Sequence, residues 1–141
     1  MKSKNGFDFV LDCSVTMAWL FEDETTTETE VLLQKLETLS AIVPSIWPHE
    51  VANVLAISIR KKRIEPMQAS SFIDSLSALS IHVDDSTTQR PLHSVFNLAM
   101  QEGLTIYDAA YLELAIRENI PFATRDQDLI KASKKLKIPL I

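Results

Sequence analysis

Short apolar runs alternate with longer stretches of helical spacing along this chain, and this alternation restricts the fold more than any other feature. The apolar runs predict strands at residues 7–11, 41–43, 81–83, 121–124 and 138–141. Consecutive strands joined by helices favour a parallel sheet, because parallel strands need a long crossover connection. We therefore predict an α/β fold with a central parallel sheet and helices on both faces.

Helical spacing fills the intervals between these strands. It predicts helices at residues 15–21, 25–39, 45–63, 67–79, 92–101, 106–118 and 127–135. Ser45 is interpreted as the cap of the third helix, with Pro48 tolerated in its first turn. Gly103 suits a helix C-terminus. Residues 22–24 are expected to form a solvated turn and residues 84–91 a polar loop.

The length and composition indicate an ordinary globular protein. A chain of 141 residues fits one domain. No apolar run approaches the ~20 residues that cross a bilayer, so no membrane association is expected. No secretory signal is visible, and a single cysteine, Cys13, excludes an internal disulfide framework and fits a reducing cytoplasm.

Net charge opposes nucleic-acid binding by simple neutralisation of phosphates. The net charge of the chain is −5, which is the wrong sign for neutralising phosphates. An acidic pocket that binds cations would account for part of the excess negative charge. The cations at residues 60–63 end a predicted helix, where the helix dipole favours them. A basic substrate groove at that place is the less favoured interpretation.

Four carboxylates, Asp12, Glu50, Asp108 and Asp126, lie far apart in sequence, yet each stands where a strand ends or a helix begins. The carboxyl ends of parallel strands form the ligand crevice of such sheets. Carboxylate oxygens are the donors that Mg²⁺ and Mn²⁺ prefer, and Asp128 is a further donor beside Asp126. The pattern predicts a divalent-metal site.

Each of these acids also has a purely structural explanation. Asp12 could cap the first helix, although Ser14 could do so instead. Glu50 could merely complement a helix dipole. Asp108 follows Thr105 at the spacing of a capping box, and Asp126 could cap the last helix.

Other site chemistries have weaker support. The three histidines show no metal-ligand spacing with Cys13, which argues against zinc. With only two glycines, Gly6 and Gly103, the chain has no phosphate-binding loop and no dinucleotide fingerprint.

Four sequence blocks together resemble the signature blocks of the PIN-domain family, and most closely its VapC-like toxins. They are VLDCSV at residues 10–15, PHEVANVL at 48–55, TIYDAAYLELA at 105–115 and ATRDQDLIKA at 123–132. The resemblance covers nearly the whole chain and follows the family's order. It implies a three-layer α/β/α fold and an Mg²⁺- or Mn²⁺-dependent endoribonuclease of a toxin-antitoxin pair.

The resemblance also implies roles for individual residues. The four matching acids are Asp12, Glu50, Asp108 and Asp126, while the supporting positions beside the pocket are Ser14, Asn53 and Thr124. Cys13 stands where many family members have threonine, which raises the question of an oxidisable pocket.

This chemistry predicts cleavage of RNA by a metal-activated water, leaving a 3′-hydroxyl and a 5′-phosphate. Expected partners are the RNA substrate, a small antitoxin encoded beside this chain, and a second copy that forms a homodimer through the later helices. A partner helix could dock on the apolar stripes at residues 31–39 or 51–59, although such stripes are more often core.

Two alternatives remain open. A catalytically silent module could use the acidic pocket to bind a basic peptide. A phosphatase of the haloacid dehalogenase type would need a second acid two residues after Asp12. Ser14 occupies that position.

Overall fold

A computed structural model describes residues 2–85 and 89–141. Within those residues the chain forms four strands and seven α-helices, in the order β1 (Phe9–Leu11), α1 (Cys13–Ala18), α2 (Thr27–Lys35), β2 (Ala41–Val43), α3 (Trp47–Arg60), α4 (Pro66–Ser77), β3 (Ile81–Val83), α5 (Ser94–Glu102), α6 (Ile106–Glu118), β4 (Phe122–Ala123) and α7 (Gln127–Lys135). Single 3₁₀ turns occupy Glu22–Glu24 and Arg90–Leu92. The first of these replaces the predicted solvated turn.

The four strands form one parallel sheet in the order β3-β2-β1-β4. The chain therefore moves outward from β1 to β3 and then crosses back to place β4 on the other side of β1. Val10 of β1 lies between Ile42 of β2 and Phe122 of β4. This reversal is a topological switch point, where the loops that follow β1 and β4 separate and leave a crevice at the carboxyl edge. The predicted parallel α/β/α architecture is confirmed.

The central strands are buried on both faces, as expected for a parallel sheet covered by helices. All three residues of β1 and both residues of β4 have no exposed surface. Tyr111 of α6 is also fully buried and stacks on Phe122, with ring centroids 5.8 Å apart. Helix α6 thereby packs against β4 of the sheet.

Several predicted boundaries are wrong. Residues 138–141 do not form a fifth strand, because only Leu140 pairs with β4, through Phe122, and Pro139 has no N–H to donate. Ser45 does not cap α3, which begins at Trp47 after Ile46 without a side-chain cap. The helix ends at Arg60 because the backbone turns left-handed at Lys62, with φ 58°.

Other predicted details hold. Gly103 ends α5 in the left-handed conformation, with φ 66°, as a C-terminal glycine should. Pro48 lies in the first turn of α3. The predicted polar loop at 84–91 includes residues 86–88, which lie outside the described residues.

A cluster of ion pairs joins α6 to the segment that follows β3. Arg117 binds Glu113 at 2.9 Å on its own helix and Asp84 at 2.7 Å beyond β3. Arg90 also approaches Glu113, at 3.3 Å. Burial alone would lower the pKa of Arg117, but its hydrogen bonds to Glu113 and Asp84 raise it above the usual arginine range, so the guanidinium stays charged.

No helix in the described part of the chain is both long and apolar enough to cross a bilayer.

Candidate metal centre

Asp12 lies at the switch point, directly after β1, and only 5% of its surface is exposed. Its Oδ2 accepts hydrogen bonds from Ser14 Oγ at 2.6 Å and from Thr124 Oγ1 at 2.7 Å. Ser14 lies in the first turn of α1 after β1, and Thr124 follows β4, so the two hydroxyls reach the carboxylate from the segments after the two strands that flank the crevice. Asp12 occupies the cap position of α1 without a side-chain capping bond, which leaves its carboxylate for this network.

Glu50 is the second carboxylate, in the first turn of α3. Its Oε1 accepts a hydrogen bond of 2.6 Å from the hydroxyl of the buried Tyr111. The bond links α3 to α6 across the edge of the site. Burial and the two nearby carboxylates raise the pKa of Tyr111, so the phenol remains a donor at neutral pH.

Asp108 and Asp126 each stand at the N-terminus of a helix. The main-chain N–H of Asp108 donates to Thr105 Oγ1 at 3.1 Å, so Thr105 is the cap of α6. Asp126 caps α7 through its own Oδ1, which accepts from the N–H of Leu129 at 3.1 Å. Its N–H in turn donates to Thr124 Oγ1, which ties this cap to the hydroxyl that holds Asp12.

Three of the four acids, Asp12, Glu50 and Asp108, have pKa values raised by burial and by neighbouring carboxylates. Burial raises the pKa of Asp12, and Asp126 adds to the rise while Ser14 and Thr124 oppose it. Burial likewise raises the pKa values of Glu50 and Asp108, and both groups are also repelled by Asp12. The sequence-separated acids therefore share one electrostatic environment.

No cationic side chain compensates this negative charge within residues 2–85 and 89–141, since no Lys, Arg or His there forms an ion pair with any of the four acids. The surrounding donors and acceptors are oxygen atoms of carboxylates and hydroxyls, which suits Mg²⁺ or Mn²⁺. The donor chemistry thus fits a hard divalent cation.

The geometry is open rather than closed. Among the described residues, no three His, Cys, Asp or Glu side chains are arranged closely enough to form a ready-made ion cage. Mg²⁺ commonly binds through one or two carboxylates and retains water, so it does not require such a cage.

Comparison with known proteins identifies the family. The model of the PIN domain family matches residues 9–135. The chain belongs to the PIN domain family. It is also 28% identical over 134 residues to Ribonuclease VapC3 from Pyrobaculum aerophilum, covering 92% of this chain and 98% of that protein.

Solved PIN-like structures share the fold. PAE2754 from Pyrobaculum aerophilum has a TM-score of 0.68 at 23% identity, covering 89% of this chain and 79% of the other. VapBC2 from Rickettsia felis, determined bound to a DNA fragment from their promoter, also has a TM-score of 0.68, at 17% identity, covering 96% of this chain and 98% of that one.

The supporting residues of this PIN domain divide into two groups. Ser14 and Thr124 are hydrogen-bonded to Asp12. Asn53 is exposed and lines a depression of about 270 Å³ beside Glu50, while the exposed Asp128 contributes to the repulsion felt by Asp108. These two residues border the site.

Sequence reasoning did not single out Tyr111, which contacts Glu50. Its position three residues after Asp108 on one helix was the available signal, because residues three apart lie on the same face.

Cys13 is poorly placed for redox chemistry. Its residue is 7% exposed, and burial together with the nearby Glu50 and Asp12 raises the pKa of the thiol to about 12. The reactive form of cysteine is the thiolate, which is scarce at neutral pH under those conditions. The side chain therefore acts as a small core residue, and the expected oxidisable pocket is not favoured.

Proposed function

We propose that this chain is a single-domain, metal-dependent endoribonuclease and the toxin of a toxin-antitoxin pair. The observation that carries the proposal is the group of carboxylates at the switch point of a PIN fold. Burial and neighbouring acids raise the pKa values of Asp12, Glu50 and Asp108, and no ion pair to any of the four acids forms within residues 2–85 and 89–141. Its similarity to a VapC ribonuclease supports RNA as the substrate.

Mg²⁺ or Mn²⁺ would be held by Asp12, Glu50, Asp108 and Asp126, with Asp128 as a fifth donor. When bound, the ion would lower the pKa of a water and stabilise the charge that develops on the phosphate in the transition state. Ser14 and Thr124 orient Asp12 by fixing one of its oxygens. Tyr111 does the same for Glu50. The protein therefore supplies two acids whose orientation is set by neighbouring donors before any ligand arrives.

Cleavage by purified protein tests the activity. RNA incubated with Mg²⁺ or Mn²⁺ should yield 5′-phosphate and 3′-hydroxyl ends, and a chelator should abolish the reaction. Asp12→Asn is the matched control, since it removes ligand charge with little change in shape and should reduce cleavage by about a hundredfold or more. Cleavage that persists in chelator, or that leaves 2′,3′-cyclic phosphates, would indicate a histidine mechanism instead.

The antitoxin is proposed to be a small protein encoded beside this chain, which inserts an Arg or Lys among the carboxylates. The predicted docking stripes are only partly available, because Leu32, Leu36 and much of α3 belong to the core. An apolar groove does lie between the end of α1 and α4, lined by Leu20, Met67 and Phe72.

Expression of the chain alone in the cytoplasm should slow growth, whereas the Asp12→Asn variant should not. Equal growth of both would favour the silent interaction module.

A homodimer is proposed through α5. Leu92, Phe96 and Met100 recur at four-residue intervals before and along this helix, and they are 78%, 48% and 69% exposed. Every exposed residue of α5 is uncharged. An isologous interface brings the same patch against itself, so a surface without charge avoids like-charge repulsion.

A further inference from the structure

Positive charge is concentrated on the last helix although the protein is acidic. Residues 125–137 contain five Lys and Arg residues and two Asp residues, a net charge of +3. Because the whole chain carries −5, the other 128 residues carry −8. Asp126, one of the four site acids, caps helix α7, so this basic segment starts at the carboxylate site.

Most of these cations form no ion pair with the residues at 2–85 and 89–141. Lys135 is the exception, since it binds Glu102 at 3.1 Å, and the Glu102 side chain is only 3% exposed. Arg125, Lys131 and Lys134 form no ion pair or side-chain hydrogen bond with any residue that the structure describes. They are available to an external anion.

The helix dipole does not explain this placement. Lys134 lies in the last turn of α7, where a cation is favourable. Arg125, however, precedes the N-terminus, which is the positive end of the dipole and disfavours a cation. Its main-chain N–H donates to Ser14 Oγ at 2.9 Å, and Ser14 also holds Asp12. The main chain of Arg125 is therefore attached to the site, where the neighbouring carboxylates rather than the helix dipole favour its positive charge.

The cations extend away from the site along the exposed side of α7. Leu129 and Ala132 are buried, whereas Lys131 and Lys134 are exposed. At 1.5 Å per residue, Lys131 and Lys134 lie about 7.5 and 12 Å along the helix axis from Asp126. A strand of phosphates that enters the carboxylate site can follow this side of the helix.

We infer that Arg125, Lys131 and Lys134 form a cationic track that binds phosphates of the RNA strand beside the bond that is cut. The inference rests on the proposed function. Carboxylates alone repel a polyanion, so binding of the strand requires positive charge near the site. The competing basic group at Arg60 and Lys61 lies at the other end of α3, about 15 Å along the axis from Glu50.

Matched double variants test the track. The track variant, Arg125→Gln with Lys131→Gln, removes one arginine and one lysine. The control variant, Arg60→Gln with Lys61→Gln, also removes one arginine and one lysine, at the C-terminal end of α3. Both are prepared in the Asp12→Asn background with Mg²⁺. Binding of a short fluorescein-labelled single-stranded RNA is followed by anisotropy over a range of KCl concentrations. Lys131→Gln with Lys134→Gln is a second track variant at fully exposed positions, which avoids the half-buried Arg125.

The track variants should reduce the steepness of the plot of log affinity against log salt by about 1.4, since each phosphate contact with a single strand contributes about 0.7. The α3 variant should retain the parent slope. With the active Asp12 protein, the track variants should raise KM and leave kcat unchanged.

Retention of the parent slope by both track variants overturns the inference, and so does an equal loss in the α3 variant. If the parent cleaves RNA under either of those results, the proposed function stands without the track. If the track variants lose RNA binding but the parent never cleaves RNA, the track stands and the nuclease function fails.

Discussion

Tyr111 donates a hydrogen bond of 2.6 Å to Glu50, a residue 61 positions away in the sequence. The phenol belongs to a side chain that is fully buried and stacked on Phe122 of the central sheet. The position of Glu50 is therefore set by the protein core as well as by its own helix. The acid proposed to hold the metal is in this way connected to the buried core of the fold.

Tyr111→Phe should lower the metal affinity of the site while keeping the aromatic ring packed in the core. The change removes the hydrogen bond that lowers the pKa of Glu50, so that pKa should rise further and the acidic limb of the pH–activity profile should move to higher pH. Metal affinity should fall by about tenfold to a hundredfold, as for other residues that orient ligands. Calorimetric titration with Mn²⁺ measures this loss. Unchanged affinity would mean that Glu50 does not depend on Tyr111.

Substitutions of Asp126 should separate its capping role from its proposed ligand role. Asparagine is as good a helix cap as aspartate, so Asp126→Asn should keep the stability of the parent but lose activity. Asp126→Ala should lose activity and also about 1 kcal/mol of stability, because the N–H of Leu129 loses its acceptor. Urea unfolding and RNA cleavage are measured on both. Full activity of the asparagine variant would mean that Asp126 caps α7 and does not bind the metal.

The metal-free protein should become less stable as the pH rises through the carboxyl range. The pKa values of Asp12, Glu50 and Asp108 are raised in the folded state, so the folded state binds protons more tightly than the unfolded chain. Their contribution is complete below the unfolded values near pH 4 and is lost as pH passes through the folded values. Urea unfolding in chelator measures the trend.

Two controls accompany this pH experiment. Asp12→Asn combined with Asp108→Asn should flatten the dependence, because two of the three raised groups no longer titrate. Added Mg²⁺ should stabilise the parent most at neutral pH, where the carboxylates are ionised. A double variant with the same dependence as the parent would show that other groups determine it.

Charge placed on α5 should disrupt the proposed dimer. Phe96→Glu introduces a negative charge that an isologous interface would bring near its own copy. Sedimentation should then show a monomer at concentrations where the parent is a dimer. Ile73→Glu is a control for an exposed apolar residue on another helix. If the unsubstituted protein sediments as a monomer, α5 is not a dimer interface.

The fold was largely predictable because its strands are short, mostly apolar and separated by helices. The boundaries that failed depend on interactions that the local pattern does not contain. Leu140 looks like part of a strand, but β4 has only two residues, so a single pairing with Phe122 is all that it makes. Ser45 has a side chain suited to capping, yet the first turn of α3 forms two residues later.

The candidate site was predictable in part for a similar reason. Acids at the ends of strands and at helix starts can be recognised in sequence, and the family blocks strengthen that assignment. The dependence of Glu50 on Tyr111 arises only when α3 and α6 are packed at the same sheet edge. The position of Arg125 against Ser14 likewise requires β1 and β4 to be neighbours.

Because the Asp126 carboxylate closes the first turn of α7 through the N–H of Leu129, that amide can report on events at the site. Its exchange with solvent deuterium requires the turn to open and the carboxylate to release it. A cation that restrains Asp126 would make this opening rarer and would slow the exchange. A single backbone proton would then measure ligand occupancy without RNA, label or catalysis.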